Sequence, residues 1–122
     1  MVTQLQGFRL SPQQRSLWRL QQQGGSYNAA AAFHLRGVLD EPALMDAVSR
    51  VIDRHEILRT SFHRMPGMKT PFQVINLSLD PAWSRQDLSH LASDEREDYL
   101  EVFFGNESRA VFDLERGPVL RL

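Results

Sequence analysis

The sequence predicts an α/β domain, a mixed sheet of three or four strands with helices packed on one side. Three observations carry this prediction. First, Leu44, Ala47, Val48, Val51, Ile52 and His55 recur at three- and four-residue steps, which lines six side chains along one stripe of a helix. Second, Leu58, Thr60 and Phe62 then alternate with Arg59, Ser61 and His63, the period of a strand. Third, a loop holding Pro66, Gly67 and Pro71 leads into another apolar run through Phe72, Val74, Ile75 and Leu77. No Gly or Pro separates the first two patterns, so the helix-to-strand corner must be tight. Charged groups at that corner lie between two buried elements and need partners.

Taken in order, residues 1–9 are polar and unpatterned. A helix start follows, with Ser11 as N-cap, Pro12 at the first helical position and Gln14 where a capping box reaches back to the cap. Leu17, Trp18 and Leu20 give this helix a buried side, and Gly24-Gly25 ends it. Tyr27 to Arg36 alternates, with Tyr27, Ala29, Ala31, Phe33 and Leu35 on one face, and reads as a strand despite the helix propensity of four consecutive alanines. Asp40 caps the second helix, and Leu39 and Leu44 are spaced as a hydrophobic staple. The strand after the corner runs to about Met65. Asp80-Pro81 breaks the following strand, and Trp83 to Leu91 reads as irregular connection or a short edge strand. The third helix starts at Ser93, with Asp94 and Glu95 at its positive end and Tyr99, Leu100, Phe103 and Phe104 as its buried stripe. Glu115 to Pro118 turns the chain, and Val119 to Leu122 begins a strand in which the sequence stops. That ending leads to the expectation of a fragment, because an unfinished apolar edge invites pairing with another chain. Self-association, with strands exchanged between copies, is expected for the same reason.

Composition excludes several functions. The 122 residues suit one domain, and 42% hydrophobic content suffices for a modest core. The longest apolar run, Ala29 to Phe33, falls far short of the roughly 20 residues of a membrane-spanning helix. Thr3, Gln4, Gln6 and Arg9 interrupt any secretory signal, so a cytoplasmic protein is expected. Fourteen Lys and Arg balance fifteen Asp and Glu, which argues against nucleic acid as a partner. Without Cys there is no disulfide, thiol nucleophile or cysteine metal site.

No catalytic constellation stands out. Four histidines supply the general bases available near neutral pH. His55, on the apolar stripe, reads as a hydrogen-bonded packing residue. His34 and His63 share strand faces with Arg36 and Arg59 and are candidates to line one surface, while His90 lies in a polar stretch. Metal-ligand spacings, a phosphate-binding glycine loop and a G-x-S-x-G elbow are all missing. The acidic run Asp94, Glu95, Glu97, Asp98 and Glu101 reads as a solvated helix face. Arg59 differs, since its place after a helix and inside a strand puts the guanidinium at least partly under the fold. Breaking a buried ion pair costs on the order of 3–5 kcal/mol, so Arg59 must meet a carboxylate or a set of carbonyls.

The string RHEILRTSF, Arg54 to Phe62, resembles the RHExLRTxF signature of condensation domains in nonribosomal peptide synthetases. Three further stretches agree in order: Leu10 to Trp18, Phe33 to Asp40, and Phe112 to Arg121. In the first of them Gln13 and Ser16 stand where the family has Ala and Arg. The resemblance implies half of a chloramphenicol acetyltransferase-like fold, residues 1–122 forming the N-terminal subdomain truncated before the family's His-His-x-x-x-Asp-Gly motif, which the sequence lacks. It implies amide formation between aminoacyl or peptidyl thioesters held on carrier proteins, with the phosphopantetheine arms on those carriers and no cofactor here. Peptidyl carrier domains, the remaining lobe and adjacent synthetase domains are the implied partners. The second His of the missing motif positions the acceptor amine, so the chain alone is expected to be inactive. Arg59 matches the Arg that pairs with the motif's Asp, and Ser11, Gln14 and Trp18 match the helix near the substrate tunnel. A heterocyclisation or epimerisation domain, an acyltransferase of the same fold and a non-catalytic docking module stay open as alternatives.

Overall fold

The structure, a computed structural model, describes residues 6–122. The expectations for residues 1–5 lie outside the described residues. Three strands, three α-helices and one 3-10 turn follow one another as β1 (Gly7–Arg9), α1 (Pro12–Gln22), α2 (Glu41–Arg54), the 3-10 turn Glu56–Arg59, β2 (Thr60–His63), β3 (Phe72–Ile75) and α3 (Ser93–Arg109).

The sheet has the order β1-β3-β2 and is antiparallel throughout. The expected mixed sheet is thus corrected: β2 and β3 form a hairpin, and β1 returns on the far side of β3, so neither pairing needs a parallel crossover. Parallel pairing is confined to a bridge outside the sheet, Ala82 with Arg121, where Ala82 N donates to Leu120 O (3.0 Å) and Leu122 N to Ala82 O (2.8 Å). That bridge gives the expected start of a strand at Val119 to Leu122 a partner just before Trp83. In the β2–β3 loop Met68 N donates to Met65 O (3.0 Å), and Gly67 takes φ +85°, a value glycine tolerates without strain.

The helix ends follow local chemistry. At α1 the Ser11 hydroxyl accepts from Gln14 N (3.1 Å) while Gln14 Oε1 accepts from Ser11 N (2.9 Å), a closed capping box. At the other end Gly25 N reaches Leu20 O (3.2 Å) and Gly24 N reaches Gln21 O (3.1 Å), a Schellman motif with Gly24 at φ +88°. Asp40 Oδ1 accepts from Ala43 N (3.0 Å) to start α2. Ala92, which has no side-chain acceptor, caps α3, and Glu95 Oε2 accepts its N–H (3.1 Å) in half of a box.

Burial departs from the predicted stripes: on α1 Leu17 and Leu20 are exposed and Trp18 is half-buried. Leu10, Ile52, Val74 and Pro71 are the buried apolar side chains among the described residues. On α2 the stripe narrows to Leu44 and Val48, half-buried, and Ile52, buried, while Ala47, Val51 and His55 face solvent. His55 is therefore an exposed C-cap residue rather than a packing histidine. The α3 stripe is not buried either: Tyr99, Leu100 and Phe104 are exposed and Phe103 is half-buried. Tyr27 to Arg36 is not a strand, since it belongs to no ladder, and Phe33 is 84% exposed. Alternation shows which face a strand would bury, but a ladder also needs a second strand beside it. The sequence missed β1, which Gly7 weakens and β3 stabilises: a Cβ on Gly7 would stand 2.6 Å from Phe72 Cδ2.

In total the chain exposes 10039 Å², whereas a compact 14.0 kDa chain would expose about 6,700 Å². Much apolar surface, Val38 and Leu77 included, thus has no cover within these residues.

Candidate functional site

The corner RHEILRTSF folds as expected in outline, with one turn more than predicted. α2 stops at Arg54, His55 takes an extended conformation, and the 3-10 turn feeds β2. Thr60 Oγ1 donates to Glu56 O (2.7 Å), which closes that turn and satisfies a fully buried hydroxyl.

This geometry holds Arg59 with its side chain 16% exposed. Its Nη1 donates to Asn76 O (2.5 Å), and its Nη2 lies 3.6 Å from Glu56 Oε1, a carboxylate that is 63% exposed. Its Nε–H is buried without a partner. Such an ion pair is long and solvent-screened and contributes little, so the carbonyl is the stronger of the two contacts. The guanidinium thus meets one carbonyl closely and one carboxylate loosely, and keeps an unused donor.

Behind Arg59 runs a polar chain. Asn76 Nδ2 donates to Arg59 O (3.0 Å) and to Ser61 Oγ (3.0 Å), and Ser61 Oγ lies 2.8 Å from His63 Nε2. Ser61 is buried, and the His63 ring sits 6.1 Å from that of Phe72. Glu56, Ser61 and Asn76 were not singled out by sequence reasoning. Glu56 carried a signal, since it stands three residues before Arg59 on a helical turn. Asn76 carried none.

The opposite face of the sheet opens into a groove of about 570 Å³, lined by Phe8, Arg9, Glu56, Ile57, Thr60, Gln73 and Ile75. Gln14 holds part of its lining, for Gln14 Nε2 donates to Gln73 Oε1 (3.1 Å), and Gln73 Nε2 donates in turn to Arg9 O (3.1 Å). Of the predicted residues, neither Gln14 nor Arg59 lines the groove, but each touches a residue that does, Gln14 through Gln73 and Arg59 through Glu56. Ser11 is used by its cap, and Trp18 is half-buried on α1. His34 and His90 face solvent, and His34 shares no hydrogen bond with His63 among the described residues. No three His, Asp or Glu side chains converge among the described residues, and no helix there is long and apolar enough to cross a membrane.

A family model described as Condensation domain matches residues 5–122. The chain belongs to the condensation domain family. Among its relatives, a linear gramicidin synthase of Brevibacillus parabrevis is 38% identical over 92% of this chain. Surfactin synthase subunit 2 of Bacillus subtilis is 33% identical over 95% of the chain, and chondramide synthase cmdD of Chondromyces crocatus 36% over 92%. This condensation-domain chain spans 2% of the first of these relatives and 3% of the other two.

Proposed function

We propose that the chain is the N-terminal lobe of a condensation domain with a chloramphenicol acetyltransferase-like fold, working in the cytoplasm on thioesters held by carrier proteins. The observation that carries this reading is the family match from residue 5 to residue 122. In the reaction, the acceptor amine attacks the carbonyl of the donor aminoacyl or peptidyl thioester. A C–N bond forms, the C–S bond breaks, and the amine proton leaves with the phosphopantetheine thiol of the donor carrier. Orientation of the two arms and stabilisation of the tetrahedral species are the protein's contributions.

Arg59 serves this chemistry indirectly. Its unused Nε–H is supplied by a corner whose other contacts are already made, and it is suited to an acid arriving from outside residues 1–122, the Asp of the His-His-x-x-x-Asp-Gly motif. Ser11, Gln14 and Trp18 border the substrate tunnel from α1.

Incubation of the 122-residue chain with loaded donor and acceptor carriers is expected to give no amide, whereas the full-length gene product that carries it is expected to turn over. Amide formed by the chain alone, or none formed by the longer protein, would refute the reading. The uncovered apolar surface also supports self-association of the isolated chain, seen in sedimentation equilibrium as a mass that rises with concentration. A monomer at every concentration would sink that part.

A further inference from the structure

We propose that Asn76 is a positioning residue which holds the Arg59 guanidinium in its working direction. The inference rests on the functional reading above and adds to it a residue that no motif marks.

Four hydrogen bonds tie Asn76 to Arg59 and its strand. Asn76 N donates to Arg59 O (2.9 Å), and Asn76 Nδ2 donates to the same oxygen (3.0 Å). The same Nδ2 donates to Ser61 Oγ (3.0 Å), and Arg59 Nη1 donates back to Asn76 O (2.5 Å). Asn76 therefore grips Arg59 at both ends, main chain and guanidinium. It stands one residue past β3, where the ladder keeps a single rung, Asn76 N to Arg59 O, and leaves the Asn76 carbonyl to the guanidinium. The amide bridge to Arg59 O and to Ser61 on β2 braces that last rung, so the Asn76 carbonyl points where Nη1 needs it. Ser61, the second anchor of the amide, is 2% exposed and is itself held against His63 Nε2. Glu56 is a poor substitute because its contact is longer and its carboxylate is in water. A long side chain without such an anchor spreads over several rotamers.

Asn76→Leu keeps the approximate shape and removes both side-chain donations. In the full-length gene product, kcat for amide formation is expected to fall about 10- to 100-fold with KM for both loaded carriers nearly unchanged, since a misplacement of about 1 Å costs up to about 10²-fold. Added to Arg59→Ala, Asn76→Leu is expected to lower kcat no further, because residues acting as one unit are not additive. A full multiplicative loss in the Arg59→Ala background would show that Asn76 acts elsewhere, and an unchanged kcat for Asn76→Leu beside a lowered one for Arg59→Ala would also overturn the inference. An unchanged rate in Arg59→Ala itself overturns the functional reading and this inference with it. Should Asn76→Leu fail to fold by circular dichroism, the same cycle with Asn76→Ser is decided by the same outcomes.

Discussion

Arg59→Ala is expected to reduce amide formation by the full-length protein on the order of 10²- to 10³-fold, a loss set by the cost of about 3–5 kcal/mol for stripping one partner from a buried ion pair and by about 1.4 kcal/mol per tenfold in rate. On the proposed pairing, the Asp of the His-His-x-x-x-Asp-Gly motif would lose its counter-charge, and it would turn away or take up a proton. Either response would move the motif to which that Asp belongs. The isolated chain should respond more mildly. It loses one charge-assisted bond to the Asn76 carbonyl, worth about 1.5–3 kcal/mol, and a screened contact to Glu56 worth little.

Activity and stability are thus predicted to diverge, which makes the test decisive. Rates per folded molecule, taken beside urea midpoints of the 122-residue chain, should show the larger effect in the rate. Arg59→Lys is expected to recover little, since an ammonium has no planar fork with which to reach the Asn76 carbonyl and a second acceptor together. A lysine variant as fast as the native protein would mean that charge alone suffices, and the directional argument for Arg59 would fail.

What the sequence revealed divides along a physical line. Features written within a few neighbouring residues were legible: the Ser11–Gln14 box, the Asp40 cap, the Gly24-Gly25 stop, the corner at Arg54 to Phe62 and the β2–β3 hairpin. Features that need a distant partner were not. Tyr27 to Arg36 has a strand's alternation but no second strand beside it, and Gly7 to Arg9 has no alternation but gains a strand from β3. Periodicity likewise found an apolar face on α3, although residues 6–122 cover that face only in part, leaving Tyr99, Leu100 and Phe104 exposed and Phe103 half-buried. At the candidate site the same rule held. The string around Arg59 announced the charge, while Asn76, seventeen positions further on, is joined to it only by the fold.

Ile52→Ala is expected to destabilise the chain by about 2–5 kcal/mol, the usual loss for truncating a buried Ile, Leu or Met. Ile52 is 3% exposed and lies on the last full turn of α2, so the void would open where the helix meets the 3-10 turn that presents Arg59. Small domains hold together by only about 5–15 kcal/mol, and Leu10, Pro71 and Val74 are the other buried apolar side chains among the described residues. Few neighbours remain to offset the loss, and a large unfolded fraction should appear in water. Val51→Ala supplies the internal control. It removes comparable apolar bulk one position round the same helix, where the side chain is exposed, and should shift stability by no more than about 0.5 kcal/mol. Urea midpoints of the two variants, compared at equal slope, therefore map the buried face of α2. Equal losses at positions 51 and 52 would show that the helix is covered on a wider stripe than Leu44, Val48 and Ile52, and that the uncovered surface of the isolated chain closes on itself in solution.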